Sequence, residues 1–200
     1  MTIDTEDMLK SILESLSRID YIKSEDIPDI DLYMDQVTTF MDSHLAAARR
    51  YPEDKILTKT MINNYAKNNL LPPPLKKKYS KEHLLVMIFI YYFKGFLSIT
   101  DIQDLLKPLT DRYFQGTESF NIQSLYDEVF SMEKDQIDLL KSDITEKFKR
   151  SQETFPEAAP EEKEFLQLFS FICLLSFDVY MKKQLIESLI DKLPKTRRPK

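Results

Sequence analysis

Two hundred residues with 42% hydrophobic side chains suffice for one ordinary core, or for a small domain with an extension. Two glycines against ten prolines exclude a glycine-cradled nucleotide fold and weigh against a sheet protein, so the chain is expected to be all-α apart from one short basic segment. A net charge of −5 speaks at first against nucleic acid, and a single cysteine, Cys173 in an apolar run, excludes an internal disulfide.

In chain order, Asp4 or Thr5 is placed to cap a first helix with Met8, Leu9, Ile12, Leu13, Leu16 and Ile19 on one face, suited to a core or a partner subunit. Its acidic, amphipathic character is not that of a signal peptide, and a cytoplasmic protein is expected. Residues 23–31, KSEDIPDID, form an acidic link, and Asp31 is the expected cap of a helix from Leu32 to Leu45. Asp35 and Asp42 on that helix have no histidine or cysteine cluster in register, so they read as surface charge and no metal site is expected.

The segment after Lys55 carries the functional signal. On a helical wheel Leu57, Met61, Ile62, Tyr65 and Ala66 share one side, while Lys59, Thr60, Asn63, Asn64 and Lys67 share the other, with Thr58 at the border. The polar side has no carboxylate. Asparagine can pair with adenine and lysine with guanine in a major groove, and phosphate tolerates few acids nearby. Asn68-Asn69 and then Pro72-Pro73-Pro74 stop this helix and deliver Lys76-Lys77-Lys78-Tyr79 as a compact basic strand or turn, before Ser80 caps the next helix. From Lys55 to His83 there are seven lysines against Glu82, about +6, so the remaining chain carries about −11. A local basic stripe on an acidic chain is the footprint of a DNA-binding module joined to something else.

These residues resemble the winged helix-turn-helix of the MerR family of transcription regulators. Tyr65, Leu70-Leu71, Pro72, and the wing residues Lys77 and Tyr79 match in order, followed by a helix from His83 and another through Ser98, Ile99, Ile102, Leu105 and Leu106. More narrowly, LYMDQVTTFM, LTKTMINNY and KKKYS resemble a bacterial family catalogued as domain of unknown function 1836. The chain departs from the MerR pattern in Asn63, where arginine is frequent, in Asn69, where glycine ends the helix, and in a shorter wing. The likeness implies double-stranded DNA as the partner, a homodimer on a palindromic site, and a recognition helix from Thr58 to Asn69. Lys59, Thr60, Asn63, Asn64 and Lys67 would face the groove; Lys76, Lys77, Lys78 and Lys81 would hold phosphates, with Tyr79 as the wing tyrosine. The competing class is a non-catalytic protein-interaction adaptor on a degenerate winged helix.

Leu84 to Leu97 is apolar nearly throughout and too short to span a bilayer, so it is expected in the core. Ser98 and Asp101 open a short helix expected to stop before Pro108. Composition shifts over residues 109–120, giving an organisation of 1–30 (helix and link), 31–108 (winged helix) and 118–200 (dimerisation or sensing). Helical patterns resume at Ile122–Phe130 and Ile137–Phe148, and the longest apolar run is Phe165 to Leu193. That run is expected to be buried in the domain and an oligomer interface, with Phe165, Phe169, Phe171 and Tyr180 forming a possible pocket for a small apolar effector. The basic tail KTRRPK is expected to be frayed rather than functional, with added phosphate contacts as the alternative. His83 is expected at the surface or near phosphate. With only His44 and His83 as bases, no catalytic site and no cofactor are expected.

Overall fold

The computed structural model describes residues 5–16, 21–116 and 120–194, so the KTRRPK tail, Asp4 and Ile19 lie outside the described residues. In chain order the elements are α1 (Thr5–Leu16), β1 (Leu32–Tyr33), α2 (Met34–His44), α3 (Lys59–Lys67), β2 (Lys78–Tyr79), α4 (Lys81–Phe93), α5 (Ile99–Tyr113), α6 (Ile122–Ser131), α7 (Glu133–Gln152) and α8 (Pro160–Ile190), with 3-10 turns at Ser24–Asp26 and Ala46–Ala48. The chain is therefore mostly helical with one small antiparallel sheet, in which Leu32 pairs with Tyr79 and Tyr33 with Lys78. It divides into two compact units: Tyr21–Ser131 with Glu187–Lys200, and Met1–Asp20 with Met132–Ile186.

The first unit is built around α4. Every residue from His83 to Ile90 is buried, as an apolar sequence on all sides of a helix requires. Helices α5 and α6 and strand β2 pack against it. Tyr126 of α6 is fully buried, donates its hydroxyl to the Ile22 carbonyl at 2.5 Å, and joins an aromatic group with Phe89, Phe130 and Tyr21. The composition change at residues 109–120 thus falls inside this unit, because α6 belongs to the same core.

Helix starts follow local chemistry. Ser98 and Asp101 form the expected reciprocal cap, the Asp101 N–H donating to Ser98 Oγ and the Ser98 N–H to Asp101 Oδ2, each at 3.1 Å. Two expectations are corrected. Asp31 does not cap α2; its position goes to Tyr33, whose N–H donates to Gln36 Oε1, because residues 32–33 are taken into the sheet. Pro108 does not stop α5, which continues to Tyr113. Proline removes only one N–H, and the turn beyond it is held by the Lys107–Asp111 pair at 2.8 Å and by the Thr110 hydroxyl donating to the Lys107 carbonyl.

In the second unit, Leu9 of α1 packs with Ile144 and Phe148 of α7 and Phe171 of α8. Helices α7 and α8 are joined by the short segment 153–159, and two polar residues of α8, Gln167 and Asp178, reach α7. Gln167 donates to the Gln152 carbonyl at 2.6 Å, closing the C-terminus of α7, and Lys147 pairs with Asp143 and with Asp178 at 2.6 Å. Of the burial expected for α8, the chain itself supplies little: Phe165, Phe169, Ile172, Phe177, Tyr180 and Met181 are each more than half exposed. Of the four aromatics expected around an effector pocket, only Phe171 is buried, against Phe148. By length and composition α8 could cross a membrane.

Candidate nucleic-acid interface

Helix α3 is capped by Thr58, whose Oγ1 accepts from the Met61 N–H at 3.1 Å. Ile62 and Tyr65 are buried, together with Leu57 ahead of the helix. Lys59, Thr60, Asn63, Asn64 and Lys67 are all exposed, so the two sides expected from the wheel are separated in space. The helix ends as its sequence requires. Asn69 sits at φ 55°, the Asn69 N–H donates to the Ala66 carbonyl, and the Leu70 N–H donates to the Tyr65 carbonyl at 2.9 Å. This is a Schellman closure with asparagine where glycine is commoner. Buried Leu70 and Leu71 then anchor the prolines.

The basic segment beyond the prolines is a two-residue hairpin. Lys78 N–H donates to the Leu75 carbonyl at 2.9 Å, and the two residues between them, Lys76 and Lys77, have φ of 49° and 66°. Positive φ at both central positions is the type I′ signature, normally filled by Asn-Gly, so two lysines here carry backbone strain. Both are exposed, and among the described residues neither they nor Lys67 is in an ion pair.

The other cations are partly engaged. Lys78 lies 5.0 Å from the Tyr33 ring centroid, Lys59 pairs with Asp35, and Lys81 pairs with Asp29 at 3.0 Å. The charge count along the sequence could not show this, because both carboxylates come from around the start of α2. The Lys59–Asp35 pair is exposed on both sides and contributes no more than about 1 kcal/mol, within reach of competition by phosphate, whereas the Lys81 side chain is only 16% exposed.

Two residues named from the sequence lie elsewhere. Tyr79 is buried, since strand alternation turns Lys78 outward and Tyr79 inward; it cannot touch a ligand on this face. His83 is buried too, correcting its placement at the surface. Its Nδ1 accepts from the Ser80 N–H at 3.0 Å, Nε2 faces the Pro73 carbonyl at 3.4 Å, and its ring is edge-on to Tyr79 and Phe114. The Ser-x-x-His spacing, a capping box with histidine in place of glutamine, was the available signal.

Burial holds the His83 imidazole below the ordinary histidine value, against the opposing pull of the Pro73 carbonyl and Asp31. The accepting Nδ1 also requires the neutral ring. The unfolded chain therefore takes up this proton first, so stability is full above about pH 6.5 and declines as pH falls toward the folded value. Melting temperature should drop between pH 7.5 and 5.5, and His83→Gln, which keeps a cap acceptor, should flatten that drop. Equal drops in both proteins would remove His83 as the cause.

The fold and site define a small, mostly helical domain that displays a carboxylate-free polar helix face and a strained lysine hairpin. The chain belongs to the family described as Domain of unknown function (DUF1836), whose model matches residues 22–129, almost the span of the first compact unit. No curated protein and no solved structure matches the chain significantly.

Proposed function

We propose that this protein is a DNA-binding transcription regulator of MerR-like winged helix-turn-helix type, acting without catalysis in the cytoplasm as a homodimer. The observation that carries the reading is the display of Lys59, Thr60, Asn63, Asn64 and Lys67 together on the outer face of α3. A nine-residue helix presenting only amide, hydroxyl and ammonium groups fits a major groove. The Lys76-Lys77 tip is the wing, reaching phosphates beside it. An acidic remainder of the chain keeps non-specific binding weak and salt-sensitive.

The exposed apolar side chains of α8 support the homodimer of this reading. Its companion α7 is highly charged and tied to it through Gln167, Asp178 and Lys147, so a bilayer would have to accept α7 as well. A second copy of this chain is the better occupant.

Fluorescence anisotropy against pooled genomic duplexes, titrated over salt, tests the DNA reading. Binding should weaken steeply as salt rises. Asp35→Asn should release Lys59 for phosphate, tightening binding and steepening the log-affinity against log-salt slope by about 0.9. A protein inert toward duplex at low salt would sink the proposal and favour the adaptor.

A further inference from the structure

A second cationic site lies in the first unit, formed by the loop that leads into α3 and by the C-terminal end of α4. A cleft of about 520 Å³ is lined by Arg49, Arg50, Lys55, Lys94, Tyr91 and Tyr92, among others. Its one lining carboxylate, Asp54, is turned to the loop backbone, accepting from the Tyr51 N–H at 3.0 Å.

The cations are unevenly compensated: Arg49 is paired with Asp42, while Arg50, Lys55 and Lys94 are in no ion pair among the described residues. Half-buried Lys94 donates to the Ile56 carbonyl at 2.6 Å and lies 4.9 Å from the Tyr91 ring centroid, but has no carboxylate in an ion pair among the described residues. Burial also lowers its affinity for a proton, which marks a charge the fold has left short of a counterion. Arg49 Nη2 stands 3.0 Å from Asp42 Oδ1, yet the buried Arg49 Nε and Asp42 Oδ1 make no hydrogen bond. Arg50 is 5.2 Å from the Tyr51 ring and, with Lys55, is exposed at the loop.

A half-buried ammonium without a counter-charge is unfavourable in the empty protein and becomes favourable when an anion enters. Arg50, Lys55 and Lys94 together match a dianion, and guanidinium with ammonium is the usual donor set for phosphate. The cleft is larger than a bare phosphate requires, and the tyrosine walls offer an apolar surface to an organic portion. We infer that this cleft binds a small phosphorylated metabolite, the phosphate held by Arg50, Lys55 and Lys94 and the organic part against Tyr91 and Tyr92. The inference uses none of the α3 or hairpin residues, and shares with the DNA reading only Lys55 of the basic stripe.

Inorganic phosphate is the probe. Calorimetric titration and thermal melts of the full chain, with sodium chloride holding ionic strength constant, should show saturable binding and a raised melting temperature. Arg50→Gln with Lys55→Gln, both exposed and safe for folding, should weaken phosphate by about tenfold or more. Lys94→Met, which keeps the apolar stem, should fold and lose the response, while Lys76→Glu with Lys77→Glu should keep it. An equal response in the Arg50/Lys55 variant, loss only in the hairpin variant, or no saturable response in the wild type would each overturn the inference. So would a cleft variant that loses duplex binding while wild type shows no phosphate saturation, which would assign these cations to the DNA backbone instead.

Discussion

Phe169→Glu with Phe177→Glu should convert the protein from a dimer to a monomer and reduce its apparent affinity for DNA by two orders of magnitude or more. Phe169 and Phe177 are 53% and 63% exposed, and Phe165, Ile172, Val179, Tyr180, Met181 and Leu185 on the same helix are likewise more than half exposed. On their fractional exposures these side chains offer on the order of 900 Å², close to the ~800 Å² that each partner buries in a stable complex. A monomer does not leave that much apolar surface on one helix without a use. Both phenylalanines are on the water side, so the glutamates cost the single chain little, whereas two carboxylates on each copy would be desolvated and mutually repelling in a symmetric interface. Light scattering should give twice the chain mass for the wild type and the chain mass for the variant, with unchanged helical content. Equal masses in both would end the proposed interface. Recovery of the wild type only in a detergent-soluble membrane fraction would assign the same face to a bilayer.

The features that sequence reading captured are those decided within a few residues. Ser80 and Ser98 cap the helices that follow them, Asn69 takes the left-handed exit of α3, and an all-apolar segment becomes the central helix α4. Each depends on spacing and backbone chemistry that any window of the chain displays. The misses depend on distant partners. β1 is two residues long and exists because Leu32 and Tyr33 meet Tyr79 and Lys78, more than forty positions on. That pairing displaces the expected cap from Asp31 to Tyr33 and, through alternation, turns Tyr79 inward, taking a proposed DNA contact off the surface. The Lys59–Asp35 and Lys81–Asp29 pairs, and the cleft that gathers Arg49, Lys55 and Lys94, arise in the same way. For α8, an apolar pattern all round a helix reports that burial is needed and does not say how much of it the same chain supplies, which here is little.

The hairpin offers a test in which stability and binding move in opposite directions. Replacing Lys76-Lys77 by Asn-Gly should raise stability by about 1–2 kcal/mol, because left-handed φ costs an ordinary L-residue about that much, and Asn-Gly is the pair suited to a type I′ turn. The turn's hydrogen bond from the Lys78 N–H to the Leu75 carbonyl uses backbone alone and survives the exchange. DNA affinity should fall sharply at the same time. Two lost phosphate contacts flatten the log-affinity against log-salt slope by about 1.8, which at moderate salt amounts to roughly one to two orders of magnitude. Denaturant unfolding and anisotropy on the same preparation read both quantities. If the variant is stabilised and binds as the wild type does, the hairpin is not a wing and the lysines tolerate strain for some other partner. If it is not stabilised, the turn does not hold Lys76 and Lys77 in the left-handed conformation that defines it here. A more stable protein that has lost DNA would show that the strain is retained for what the two ammonium groups contact.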